Sequence, residues 1–466
     1  MDISPRQKGA IRARAHHASA RTDFLDRIAP FFAGRDVIGG PLLLATLIAL
    51  VCTNSPFQQD YERLWDMPLT IMLGDLSVRH SLAEWIDHAL LPLFFIIIGT
   101  DVKRELVRGE LSRWRTAAFP IAGAAGGMLV PVLLYLLIAG GTEVETGWGT
   151  VITMDTAFGL ALIGIFATSL PPGVRALFLA FAAIDDIGGL LVIAIAYSQG
   201  IHVAGILLGC AAFAGIYLLR RLKWGASLPY VLLALLLWAG IFQSGIHTTI
   251  AGVLIGFLVP VHPRLRRAQF ADKVQEKVDE FQAAHDHAGE SDDEEESSAA
   301  DQKAEEQLGY LHEMTGATHE TGERLIALLT PWISYIVLPL FALSNVRVHM
   351  SADLVTAALG SALAPAIIAG LVVGKPVGFL GFSWIATRLR LAEAPKNVTW
   401  PMIAAIGCTA GIGFTISLFI SSLAFADEPT REVAAFAIIL ASLLAGIAGY
   451  LALRLAAKKP AKMQRP

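Results

Sequence analysis

At 466 residues, 55% hydrophobic and only 16% charged, the chain is too apolar to be a soluble multidomain protein. The composition is that of a polytopic membrane protein, so the formal net charge of -4 says little, and the expected partner is the lipid bilayer rather than nucleic acid. Cys52, Cys210 and Cys408 stand alone in or beside apolar stretches, an odd number without paired spacing, and give neither a disulfide framework nor a resident metal site. No cofactor is expected.

Residues 1–35 carry seven Lys or Arg and no apolar run, too long and polar a lead for a cleavable signal peptide, and read as a cytoplasmic tail. Apolar windows follow at 36–54, 85–102, 116–139, 149–169, 174–197, 202–219, 226–242, 246–262, 327–346, 354–386, 400–425 and 432–455. The fold class expected is therefore an all-α membrane protein of about twelve transmembrane helices, eight within 36–262 and four within 326–456. With both termini inside, 31 of the 36 Lys and Arg fall on cytoplasmic segments, 4 on the opposite side, and Lys375 within a span.

Between the first two windows, PLTIMLGDLSVRH alternates apolar and polar residues around Gly74-Asp75, the pattern of a small extracytoplasmic β-hairpin. Its free edge near residues 68–79 either pairs with the hairpin of a second subunit, making a homodimer, or caps the helices of its own chain. Residues 263–325 turn polar and acidic, with SDDEEESS at the centre, and cannot bury enough apolar surface to hold a fold; they read as a cytoplasmic linker. His285 and His287 beside this acidic run could hold a metal weakly, but a solvated tract is the commoner meaning. Residues 457–466 form a second cytoplasmic tail.

The stretch from Ala176 to Tyr197 is an apolar run of spanning length whose only charges are the adjacent Asp185 and Asp186. A charge at the bilayer centre costs roughly 2.5 to 3.5 kcal/mol on insertion scales, so two together call for a function. Neighbours on a helix point about 100° apart, so one carboxylate can face a wet pathway while the other faces a neighbouring helix. Two further spans are interrupted. VITMDTAFGLALIGIF holds Asp155 mid-span beside Thr153, Thr156 and Gly159, and IAAIGCTAGIGFTISLFISS places Thr409, Gly411, Gly413, Thr415 and Ser417 at comparable depth. Unwound backbone is tolerated in a membrane only where protein or a wet cavity satisfies it, so both breaks are candidate cavity linings. They fall in the middle spans of the triplets 116–197 and 354–455, which run in opposite senses. The expectation is an inverted-topology repeat whose two discontinuous helices cross at the midplane.

Lys375, in GLVVGKPVGFLGF, is too deep to snorkel easily and needs a carboxylate partner; Asp185 and Asp155 are nearest by depth. In GTDVKREL, the i, i+3 and i, i+4 spacing sets Asp101, Arg104 and Glu105 on one helical face, either a solvated helix end or a pH-responsive cluster. His247, at a tight turn, reads as a loop histidine.

Taken together and in order, GTDVKREL, MDTAFGLALIG, AIDDIGG, SGIHTTIAGVLIGF, GKPVGF and AGIGFTISLFISSLAF resemble the NhaA-type sodium/proton antiporters of bacterial inner membranes. The resemblance covers nearly the whole chain except the tails and the acidic linker. It implies an antiporter, not an enzyme, that exchanges cytoplasmic Na+ or Li+ for external H+ by alternating access, electrogenic and pH-regulated, serving pH homeostasis and salt tolerance. It assigns Asp185 and Asp186 as the ion- and proton-binding pair that holds the transported Na+, and Lys375 as the partner of Asp185. By the resemblance Asp155 and Lys375 compensate charge at the helix breaks and Asp101, Arg104 and Glu105 respond to pH; that Thr153, Thr156, Thr409, Gly411 and Gly413 line the breaks is read from the sequence itself. Three features depart from the family. Met154 stands where a threonine is usual, Asp101 replaces a usual glutamate, and the linker is long.

The chemistry is consistent with exchange. A hard cation wants carboxylate and carbonyl oxygens, and a carboxylate offers them only when deprotonated, so sodium and protons compete for one site. The alternatives are a membrane enzyme with intramembrane aspartates and a channel; an imposed sodium gradient in liposomes moves protons stoichiometrically only for an exchanger.

Overall fold

The computed structural model describes residues 39–73, 76–198, 200, 202–222, 224, 227–261 and 321–458. The N-terminal tail, the acidic linker up to residue 320 with His285 and His287, the Gly74-Asp75 turn and all but two residues of the C-terminal tail lie outside them; the linker's last five residues, 321–325, are helical and not part of a structureless segment. Within the described residues the chain is mostly helical with one two-stranded sheet. Eight helices are long and apolar enough to cross a membrane, and ten if each of two bent helix pairs is one span. Leu228–Gln243 and Thr249–Leu258, in the windows at 226–242 and 246–262, are shorter apolar helices. The window at 354–386 divides at Ser361 into two helices.

The chain forms two compact units. The first holds Met1–Leu91, Arg113–Tyr197 and Thr330–Pro466. It opens with α1 (Gly39–Thr53) and α2 (Gln58–Asp66), a pair bent by 118°. Then β1 (Pro68–Leu73) pairs antiparallel with β2 (Leu76–Ser81), in register from Pro68 opposite Ser81 to Leu73 opposite Leu76. Ser81 starts α3 (Leu82–Arg108) with a capping box: its hydroxyl accepts from the Glu84 amide, and Glu84 accepts from the Ser81 amide at 2.8 Å.

The centre of this unit is α4 (Trp114–Ala139), α6 (Pro172–Ala196) and α12 (Leu363–Arg388). Where α4 meets α12, Gly126 and Gly378 touch backbone to backbone, and a Cβ on either would strike the carbonyl oxygen of the other. Phe119, Phe178, Phe181 and Phe379 fill the space between the helices. Pro376 has no amide to return to its helix, and the stretch Ala369–Gly374 just before it widens into a π-helix, leaving Lys375 at the irregular point. Outward-facing leucines and isoleucines such as Leu137 and Ile195 are 82% and 81% exposed, a surface suited to hydrocarbon rather than water.

Two stretches here contain residues outside helical conformation. A 3-10 segment, Glu145–Val151, gives way to extended backbone through Asp155 before α5 (Thr156–Ile165) begins. Late in the chain, α13 (Trp400–Thr409) and α14 (Phe414–Ala424) meet at a 45° bend over residues 410–413. α15 (Glu428–Lys458) closes the unit, with Ala445 against Gly411 and Gly449 against Thr409. The remaining helices are α10 (Gly322–Asn345), which starts in the second unit, and α11 (Ala352–Gly360).

The second unit holds Pro92–Ser112 and Ser198–Leu329. Here α7 (Val203–Arg221) and α8 (Leu228–Gln243) pack through Ala212, Ile216, Leu237 and Ile241, joined by Ala251 and Leu258 of α9 (Thr249–Leu258). The C-terminal carbonyls of α9 carry partial negative charge, and two cations meet them: Lys103 donates to Val259, and Arg220 to Leu258 at 3.1 Å. His247 follows the positive-φ turn residue Gly245, just before α9.

Candidate ion site at the helix breaks

The site is built from α6, α12 and the two breaks, all within the first unit. Asp185 and Asp186 sit mid-way along α6, and both are buried. Their surroundings differ. Asp185 has both oxygens engaged: Oδ1 pairs with the Lys375 ammonium at 2.6 Å, and Oδ2 accepts from the Met154 amide at 2.7 Å. Lys375, fully buried as well, also donates to the Ile152 carbonyl, at the end of the 3-10 segment, where the helix leaves negative partial charge. The lysine thus joins α12, α6 and the first break.

Asp186 accepts one hydrogen bond at Oδ2, from the Thr156 hydroxyl at 3.3 Å. Its other oxygen, Oδ1, is buried with no hydrogen-bond partner among the described residues. A buried carboxylate oxygen left without a donor is costly, and such a group is normally neutralised or binds something. The Thr153 hydroxyl is likewise buried and unpartnered. Its methyl packs where Gly189 has no side chain, one helical turn beyond the two aspartates.

Asp155 sits between two helix starts. Oδ1 accepts from the Ala157 and Phe158 amides at 3.1 and 3.2 Å, capping α5. Oδ2 accepts from the Thr415 amide at 3.1 Å and the Thr415 hydroxyl at 2.6 Å, at the start of α14. The Asp155 amide in turn donates to the Ile412 carbonyl at 2.6 Å, tying the breaks together. One carboxylate thus faces two positive helix ends, while the Lys375 ammonium meets a negative one.

The other sequence candidates fall elsewhere. Thr409 turns its hydroxyl back to the Ala405 carbonyl of its own helix at 2.9 Å and packs on Gly449, so it is not brought to the aspartates. Gly411 lets the second break lie against the Leu371 carbonyl of the π-helical stretch, and a Cβ at Gly413 would strike the Ser417 hydroxyl. In the second unit, Asp101 and Arg104 pair at 2.9 Å, but Glu105 accepts from the Glu110 amide at 2.7 Å and closes the turn after α3. Thr415, named with the second break, turns out to be the partner of Asp155. Backbone participants such as the Met154 amide and the Ile152 and Ile412 carbonyls lay outside the sequence-derived set and had no signal in residue type.

The family model described as Na+/H+ antiporter 1 matches residues 30–453. The chain is 37% identical over 401 residues to the Na(+)/H(+) antiporter NhaA 2 of Myxococcus xanthus, covering 86% of this chain and 83% of that protein. It is 36% identical over 409 residues to the NhaA 2 of Sorangium cellulosum, covering 87% and 85%. To the NhaA antiporter of Rhodopirellula baltica it is 37% identical over 408 residues, covering 88% and 89%. A match of this extent identifies a transporter and not an enzyme, with Na+ and H+ as the transported ions, and the chain belongs to the Na+/H+ antiporter 1 family of multi-pass membrane proteins.

Proposed function

We propose that the protein exchanges cytoplasmic Na+, or Li+, for external H+ at Asp186, by alternating access to a site at the bilayer midplane. The observation that carries this is the contrast between the adjacent aspartates. Asp185 is held by Lys375, whereas Asp186 has a buried oxygen with no partner among the described residues and needs either a proton or a cation. The two ligands exclude each other. If the occupied site alone can reorient between the two sides, proton influx drives sodium efflux without further machinery. More than one proton per sodium makes the cycle electrogenic, and Asp185, freed from Lys375 during the cycle, is the second proton's carrier.

The architecture we read is twelve crossings: the eight long helices, the two bent pairs and the two shorter apolar helices. The segments around Asp155 and residues 410–413 are the discontinuous helices of an inverted repeat, crossing where Asp155 and Lys375 balance their ends. Both termini and residues 263–325 are cytoplasmic, in a bacterial inner membrane, and the hairpin edge of β1 and β2 pairs two subunits. The Asp101–Arg104 pair and Glu105 tune the exchange to pH at the cytoplasmic side, in the service of pH homeostasis and salt tolerance.

The test is sodium-dependent dequenching of a pH dye in everted vesicles, followed by reconstitution with a potential-sensitive dye. Added Na+ dequenches the pH dye, and exchange responds to an imposed potential. A protein that leaks sodium without moving protons is a channel and overturns the reading.

A further inference from the structure

We propose that the Thr156 hydroxyl is a direct ligand of the transported cation, the neutral oxygen that completes the site around Asp186. The proposal rests on the exchange reading above and specifies its coordination. Threonine hydroxyls in helices ordinarily donate back to a carbonyl of the preceding turn, and Thr46, Thr387 and Thr409 each do so four residues back. Thr156 is the first residue of α5, with extended backbone before it and no helical turn to reach. Its hydroxyl faces Asp186 Oδ2 instead.

That separation, 3.3 Å, is long for a hydroxyl–carboxylate hydrogen bond, which favours about 2.7 Å. It matches two oxygens sharing a cation: ligands about 2.4 Å from a hard ion and at right angles to each other lie about 3.4 Å apart. A hydroxyl keeps two lone pairs while it donates, so Thr156 can turn one toward an ion without leaving the carboxylate unpartnered. Two more buried oxygens without partners among the described residues accompany it, Asp186 Oδ1 and Thr153 Oγ1.

The competing donors are excluded by their bonds. Asp155 and Asp185 have both oxygens engaged, and the Thr415 hydroxyl is held by Asp155. Met154, between Thr153 and Thr156 in sequence, brings only a soft thioether sulfur, which a hard cation does not select. Losing the hydroxyl removes both an oxygen from the cation and the donor to Asp186 Oδ2, so binding is compared across pH: a lost ligand weakens sodium even at high pH, where protons no longer compete, and a lost hydrogen bond only where they do.

The experiment compares wild type, Thr156→Val and Thr156→Ser for Na+ and Li+ exchange in vesicles, with Na+ titration calorimetry on the same purified proteins. Thr156→Val should raise the sodium KM and weaken calorimetric binding about tenfold or more, with the rate at saturating sodium within about twofold of wild type; Thr156→Ser should restore both. A merely structural threonine would instead lower the saturating rate and the melting temperature together. Wild-type KM and binding in Thr156→Val overturn the proposal. If the valine variant does not fold, Thr156→Cys, which keeps the size and offers a soft donor, must show the same weakening, and wild-type binding by it overturns the proposal equally. Absence of exchange in wild type would fault the exchange reading, and the ligand assignment would then be decided by calorimetry alone.

Discussion

Replacing Lys375 by methionine removes a buried charge while keeping the length and most of the volume of the side chain. Lysine and Asp185 are both fully buried and 2.6 Å apart, and the same ammonium serves the Ile152 carbonyl. The substitution leaves Asp185 with the Met154 amide as its remaining partner among the described residues and the end of the 3-10 segment without its cation. Removing one member of a buried pair costs about 3 to 5 kcal/mol, most of it the uncompensated charge left behind. Lys375→Met should therefore melt several degrees lower in detergent, read as an operational temperature because unfolding of a two-unit membrane protein need not be two-state. The second arm of the cycle is Asp185→Asn. If the loss is a charge effect, the double variant Lys375→Met/Asp185→Asn should recover more than half of it, since neither charge is then stranded. Two single losses that simply add in the double variant would refute the reasoning, as would a wild-type melting temperature for Lys375→Met.

Asp155→Asn keeps one acceptor oxygen and loses the negative charge facing two helix starts, while Asp155→Ala loses all four bonds; the alanine variant should be the less stable by about 2 to 4 kcal/mol, measured by comparing thermal melts. Gly378→Ala puts a methyl into the backbone of Gly126 and should destabilise by about 1 to 3 kcal/mol, with sodium affinity retained in whatever protein folds, as read by melting and calorimetry. Deleting residues 284–304 should leave exchange intact in a normally expressed protein, because the described residues that form the site all come from other segments; loss of exchange in such a protein would contradict this.

How far the sequence reached can be judged residue by residue. Depth within an apolar run narrows the partner of Lys375 to Asp185 or Asp155, but depth says nothing of azimuth, and the choice depends on how the π-helical stretch before Pro376 rotates the lysine toward α6. Asp155 and Thr156 are adjacent in sequence, yet one caps two helices and the other faces Asp186, a division set by where α5 starts. Thr409 has the same residue type and similar depth, but it ends α13, so a full turn precedes it and its hydroxyl reaches the Ala405 carbonyl. Glu105 has helical spacing to Asp101, but the chain turns after Arg108 and brings the Glu110 amide to it first. The hairpin was legible because alternation with a two-residue turn leaves one register, and β1 and β2 adopt it. Backbone ligands such as the Ile152 carbonyl are common to every residue and leave no trace in residue type.

The central claim is that sodium and a proton compete for Asp186, and proton release on sodium binding measures it most directly. Sodium is titrated calorimetrically into the purified protein in two buffers of different ionisation enthalpy, so that the difference in heat counts protons. Wild type should bind sodium with release of protons and with an affinity that weakens about tenfold, for each proton released, with every unit the pH falls while the proton wins the site. Asp186→Asn should bind no sodium and release none. Full-strength binding with undiminished proton release by Asp186→Asn would contradict the account.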